Sequence, residues 1–148
     1  MSMFGNPSLF TRIAIGKTVG LIVGLIGFIL IPIISPDLDP SLRWGVLLWY
    51  TSLGAFVGVF GVFTWHPIVK MPMPWWIRGV FVGAWMNFVL TFFAHEAMVT
   101  VMGDMFGPDA WLQSPFWFAL EGAAFGLLVD YLATRYGGEG KVTVDEPG

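Results

Sequence analysis

Residues Trp44 to Trp65 read WGVLLWYTSLGAFVGVFGVFTW, an apolar stretch without a single charged side chain. As a helix it rises about 1.5 Å per residue, enough to cross a hydrocarbon core of about 30 Å. Its ends decide its role: Arg43 precedes it and His66-Pro67 stops it, so the stretch is a complete span bounded by interfacial residues. Upstream, RIAIGKTVGLIVGLIGFILIPII runs from Arg12 to Ile34 and ends at the acidic, proline-rich SPDLDP, with Pro32 positioned to bend its last turn. Downstream, VKMPMPWWIR forms a turn into GVFVGAWMNFVLTFFAHEAMVTVM, residues Gly79 to Met102. A fourth stretch from about Trp111 to Tyr136 is less apolar, because Glu121 and Asp130 fall inside it. Each buried acid costs about 2.5–3.5 kcal/mol at a helix centre, which eight or nine strongly apolar neighbours offset.

The expectation is therefore an all-α integral membrane protein, a four-transmembrane-helix bundle with short loops. The spans are predicted near residues 12–34, 43–66, 76–102 and 111–136. A cytoplasmic segment, 1–11, precedes them, and a polar, disordered tail, 137–148, follows. Composition agrees, since 56% of residues are hydrophobic and only 11% charged, with a mean hydropathy of +0.75. A soluble domain carries roughly 25% charged residues. The opening MSMFGNPSLFTR has one basic residue and no small-residue cleavage site, so it does not read as a removable signal peptide. Zero cysteines exclude disulfides and thiolate chemistry, and a net charge of −3 without a basic face makes nucleic acid an unexpected partner.

Orientation follows from the basic residues. In a four-span threading Arg12, Lys17, Lys70, Arg78, Arg135 and Lys141 fall on one side and Arg43 alone on the other, which places both termini in the cytoplasm. Acids Asp37, Asp39, Asp104 and Asp109 gather in the outer loops. Trp44, Trp111 and Trp117 mark the outer interface, and Trp65, Trp75 and Trp76 the inner one. With no eukaryotic targeting segment and short loops, a bacterial inner membrane is the expected location. In length and span number the chain is similar to small multidrug-resistance exporters and small fluoride channels. Those families have weak charge bias and can insert both ways up, whereas a six-to-one bias fixes one orientation and argues against an antiparallel dimer of identical chains.

Each span carries a Gly-x-x-x-Gly pattern: Gly16, Gly20 and Gly24; Gly54 and Gly58; Gly79 and Gly83; Gly122 and Gly126. Residues four apart share a helix face, and without side chains two backbones can approach closely. Packing within the chain is the plainer use of these faces; a homo-oligomer or a larger membrane complex is the other. The two halves also echo one another, each beginning with a small-residue helix after a basic residue and continuing through DPSLRW or QSPFW.

Polar residues inside the spans form three groups. Lys17 and Asp130 lie at matching depth, about 7.5 Å in from Arg12 and Arg135, so an ion pair between helices 1 and 4 is predicted. The alternative is that Lys17 snorkels alone and Asp130 bonds Thr134 or water. Toward the outside, Asn87, Thr91 and His95 recur every four residues after Gly83, and Glu121, Tyr50 and Thr51 reach the level of Thr91 and His95; these could line a polar pocket. A carboxyl and an imidazole there would suit proton-coupled transport; the alternative is that Glu121 is neutral, or hydrogen-bonded to His95 or Tyr50 as an interhelical clip. Finally His95, Met98, Met102 and Met105 recur at helical spacing, and thioether with imidazole suits monovalent copper, although methionine is a common gap-filler. His66 and His95 sit at opposite interfaces, too far apart to share a haem iron.

No nucleophile–base pair, metal helix or phosphate loop is present, so neither enzymatic chemistry nor a cofactor is expected. Two functions remain: a non-enzymatic structural or accessory membrane component packing through its glycine faces, or a small proton-coupled carrier or channel using Glu121 and His95. Reporter fusions at Gly5 and at Gly148 are expected to report the same cytoplasmic compartment; opposite compartments would overturn the even number of passes.

Overall fold

A computed structural model describes residues 6–107 and 114–145. The helices are α1 (Leu9–Ile34), α2 (Ser41–Phe60), α3 (Trp75–Phe93), α4 (His95–Phe106) and α5 (Phe118–Gly137). Four segments are long and apolar enough to cross a membrane: α1, α2, α3 and Pro115–Gly137, in which a short 3-10 turn at Pro115–Trp117 leads into α5. Antiparallel strands β1 (Trp65–His66) and β2 (Met71–Pro72) form a small hairpin between α2 and α3. Ser8 begins α1, its hydroxyl accepting from the Thr11 amide at 3.4 Å, and its own amide donates to Gly137 O at 2.9 Å. Both ends of the described chain therefore meet at one end of the bundle.

The glycines explain how the bundle is assembled. A Cβ on Gly16 would stand 1.9 Å from Gly54 O, one on Gly20 2.0 Å from Tyr50 O, and one on Gly58 2.7 Å from Arg12 O. The backbones of α1 and α2 touch along this face. The same contact recurs between α3 and α5, where a Cβ on Gly83 would lie 1.9 Å from Gly122 O and one on Gly126 1.9 Å from Gly79 O. Gly24 continues the first interface against Leu47. The two pairs then close on a small core of Tyr50, Leu53, Val57, Val82, Phe125 and Val129.

Three segments differ from the sequence expectation. The second span stops at Phe60 instead of continuing to residue 66: at Gly61 a Cβ would lie 1.9 Å from the Arg12 guanidinium, and Gly61 O is taken by the Gly140 amide at 2.8 Å. The predicted third span, 76–102, is two helices broken at Ala94 (φ −109°, ψ 24°). Two features accompany this break, one local and one tertiary. The Thr91 hydroxyl donates back to Asn87 O at 2.8 Å, a bond that bends helices, and α4 turns to bury Val101 and Met102 while Asp104 accepts from the Ser35 hydroxyl at the far end of α1. The tail expected to be disordered instead folds back over residues 138–145, with a 3-10 turn at Lys141–Thr143 and Thr143 buried. Its fold has a local cause: Gly138 and Gly140 take positive φ, 75° and 84°, and so reverse the chain just past α5. Residues 1–5, Asp109, Trp111 and the start of the fourth predicted span, and residues 146–148, lie outside the described residues.

Gly16→Ala and Gly83→Ala are expected to lower unfolding stability in detergent by at least about 1–3 kcal/mol, because backbone opposes the added methyl. Gly45→Ala, where a Cβ meets nothing within 4 Å, is expected to stay within about 0.5 kcal/mol. Denaturant titration followed by tryptophan fluorescence checks both; equal loss at all three positions would contradict the glycine-mediated packing.

Candidate functional site

At the end of the bundle where Ser8 meets Gly137, Arg12, Arg78 and Asp130 are all fully buried. Arg12 Nη2 donates to Asp130 Oδ1 at 2.7 Å, while Arg78 Nε and Nη2 reach Oδ2 and Oδ1 at 2.8 and 2.9 Å, a two-toothed contact. The remaining donors are also occupied. Arg12 Nε donates to Gly58 O at 2.8 Å and Nη1 to the Thr134 hydroxyl at 3.0 Å and to Gly138 O. Arg78 Nη1 donates to Met73 O at 3.1 Å and Phe63 O at 3.3 Å, and Nη2 also meets Glu139 Oε2 at 3.1 Å. Two guanidiniums thus face two carboxylates, and the cluster closes electrically as well as geometrically.

This corrects the expected Lys17–Asp130 pair. Lys17 is exposed and lines a shallow flank cleft with Ile13, Thr51 and Ser52, while Asp130 is saturated by arginines and by Thr134, whose hydroxyl donates at 3.1 Å. Depth alone is a misleading guide here. Arg12, Gly16, Gly20 and Gly24 recur every four residues, as do Gly122, Gly126, Asp130 and Thr134, so Arg12 and Asp130 share the packing faces. Lys17 is one residue out of that register, rotated about 100° away. Interfacial anchoring, the role that depth assigns to the two arginines, gives no sign of this cluster.

A second polar layer ties α2, α3 and α5 together. The Tyr50 hydroxyl donates to Glu121 Oε1 at 2.7 Å. Asn87, 1% exposed, donates through Nδ2 to Phe118 O at 2.9 Å and to the Tyr50 oxygen at 3.3 Å, and its Oδ1 accepts from Trp49 Nε1 at 2.9 Å. Of the six residues expected to line a pocket, Tyr50, Asn87 and Glu121 therefore meet directly, and buried Thr91 bonds the Asn87 backbone. Thr51 and His95 do not join them. The Thr51 hydroxyl donates to Leu47 O at 2.8 Å, and His95 is exposed at the start of α4 with its ring 6.1 Å from that of Phe116. Trp49 is the member of this layer that sequence reasoning misses, since an indole in an apolar run reads as packing.

The methionine stripe divides in the same way: Met102 is buried, whereas His95 and Met105 are exposed and Met98 is half-buried. Among the described residues, no group of three or more His, Asp or Glu side chains is placed to hold a metal ion. No family model, curated protein or solved structure matches the chain.

Asp130→Asn leaves two buried guanidiniums short of a counter-charge and is expected to cost about 3–5 kcal/mol of stability. Lys17→Gln is expected to change it by less than about 0.5 kcal/mol. Unfolding in the same detergent compares them, and equal damage from both would restore Lys17 as a partner.

Proposed function

We propose that the chain is a non-enzymatic structural or accessory component of a membrane, multi-pass, with both termini cytoplasmic, and that its work is done by what it packs against. A bacterial inner membrane is the proposed location. The observation that carries this reading is the filled interior. Glycine backbones touch within each helix pair, Leu53, Val57 and Val129 are essentially inaccessible, and the ionic end is closed by backbone carbonyls. The clefts beside α1 and α5, and beside the hairpin and α3, lie on the flanks. A carrier needs a central site reachable in turn from each side, and the described residues provide a plug of side chains there.

The proposed orientation survives the burial of two of its basic residues. Without Arg12 and Arg78, four of the six inner cations remain, Lys17, Lys70, Arg135 and Lys141, against Arg43. The glycine faces are occupied within the chain, which favours outward aliphatic and aromatic faces over Gly-x-x-x-Gly dimerisation for any larger assembly. The carrier reading retains Glu121 but loses its imidazole, since His95 stands against Phe116.

In proteoliposomes under a pH gradient, Glu121→Gln and His95→Ala are expected to leave ion and drug flux at the protein-free level, unchanged from the parent. Gly58→Leu and Gly122→Leu are expected to abolish accumulation in cells. Gradient-driven flux that Glu121→Gln removes would overturn the accessory reading.

A further inference from the structure

Glu121 is treated differently from the acids of the ionic layer. Asp130 is inaccessible and doubly paired, and Glu139 lies on Arg78. Glu121 is exposed, and among the described residues its hydrogen-bonding partner is the neutral Tyr50 hydroxyl. It stands nine residues from Asp130 along α5, about 13 Å from the ionic layer, whereas α1 continues about 33 Å beyond Arg12. Along its own segment it lies six residues, about 9 Å, from Pro115 at the far end. Acidic side chains at such depth ordinarily face a bundle interior or find a partner.

The ground around it has the shape of a helix seat. On α5, Glu121, Leu128, Leu132 and Tyr136 follow one face, with Phe125 of the same series turned into the core. About 16–22 Å along α5 from Glu121, Leu132 and Tyr136 border a cleft of about 450 Å³ whose other wall is α1, through Thr11, Ala14, Ile15 and Thr18. The same α1 face continues toward the far end as Ile22, Leu25, Ile26 and Ile29, all exposed. Ala14 and Thr18, four apart, offer the small-residue spacing along which a further helix can approach.

In a parallel copy of this chain no basic side chain stands level with Glu121: His95 lies beside Phe116 toward the far end, and His66 in the hairpin toward the ionic end. Arg12 and Arg78 are buried, Lys70, Arg135 and Lys141 lie toward the ionic end, and Arg43 sits over the Phe28 ring at the far end, 3.8 Å from its centroid. Lys17 lies about 6 Å nearer the ionic end than Glu121, and helical side chains lean toward the helix N-terminus, so it slants away. The sequence outside the described residues contains no lysine or arginine. We propose that the α1–α5 flank around Glu121 seats a transmembrane helix of a different protein, which presents a lysine, arginine or histidine to the Glu121 carboxylate. The proposal rests on the accessory reading and names the chemistry of its partner.

The test uses the full chain in its native membrane, with a photo-crosslinking residue at Leu120 or Leu128, both exposed on α5. The expected result is an adduct with one other membrane protein that has a basic residue within a span. Glu121→Lys is expected to reduce the adduct at least about tenfold while the chain still accumulates, and an acid in place of the partner's basic residue should restore at least about half. Should Glu121→Lys fail to accumulate, Glu121→Gln serves instead, with a reduction of at least about threefold expected. Self-adducts alone, lipid adducts alone, a partner span without a basic residue, or adducts indifferent to both substitutions would overturn the proposal. A stoichiometric partner that crosslinks only from Phe81 or Phe92, on α3, would sink this seat and leave the accessory reading standing. Gradient-driven flux lost in Glu121→Gln would remove both.

Discussion

One carboxylate holds two guanidiniums at the closed end of this bundle, and most of the architecture is arranged around that fact. Removing three charges from solvent is costly, and a buried ion pair offsets the cost only when every remaining donor finds an acceptor. Here the acceptors are backbone carbonyls freed where elements end: Gly58 in the last turn of α2, Phe63 and Met73 flanking the hairpin, and Gly138 just past α5. The ends of the helices and the needs of the arginines are one problem with one solution. That is why α2 stops short of Trp65, and why the C-terminal segment turns back onto Gly61 through the Gly140 amide.

Close backbone contact makes the ionic layer reachable. Asp130 has a short side chain, and it meets Arg78 because α3 and α5 are drawn together by Gly79, Gly83, Gly122 and Gly126; a Cβ at Gly79 would itself lie 2.8 Å from Asp130 Cβ. In the proposed lipid setting, helices gain little from burying apolar groups against one another, which leaves dispersion between touching backbones and satisfied polar bonds to hold them. The two mechanisms reinforce each other: the glycines set the spacing, and the arginines fix the register along it.

How far the structure is legible in the sequence depends on which coordinate is read. The apolar runs and proline-rich turns mark four stretches of spanning length. Depth, counted along each helix, puts Tyr50 and Glu121 level with Thr91 and His95, whereas the contact on α3 is made one turn earlier, at Asn87. Depth without rotation produces the Lys17–Asp130 pairing, although the interval of four that marks the glycine faces also runs through Arg12 and Asp130 and misses Lys17. Rotation fails in turn where a helix ends: His95 continues the Gly83–Asn87–Thr91 series on paper, but the break at Ala94 removes it. That break accompanies the docking of α4 near Ser35, a tertiary contact that spacing along α3 does not carry.

The same register argument separates the polar groups that lie on the packing faces from one that lies beside them. Arg12, Asp130, Thr134, Asn87 and Thr91 all lie on the intervals of four that define the packing faces, and each is bonded within the chain. Glu121 lies one residue before Gly122, off that face, just as Lys17 lies one after Gly16. Lysine tolerates such a position because its long stem carries the charge toward an interface. Glutamate has no comparable reach, and Tyr50 gives it a hydrogen bond without a counter-charge. A carboxyl that clips α5 to α2 through Tyr50 and still faces outward has room for a counter-charge from outside, and that is why the proposed partner is sought on the flank of α5 rather than in the interior.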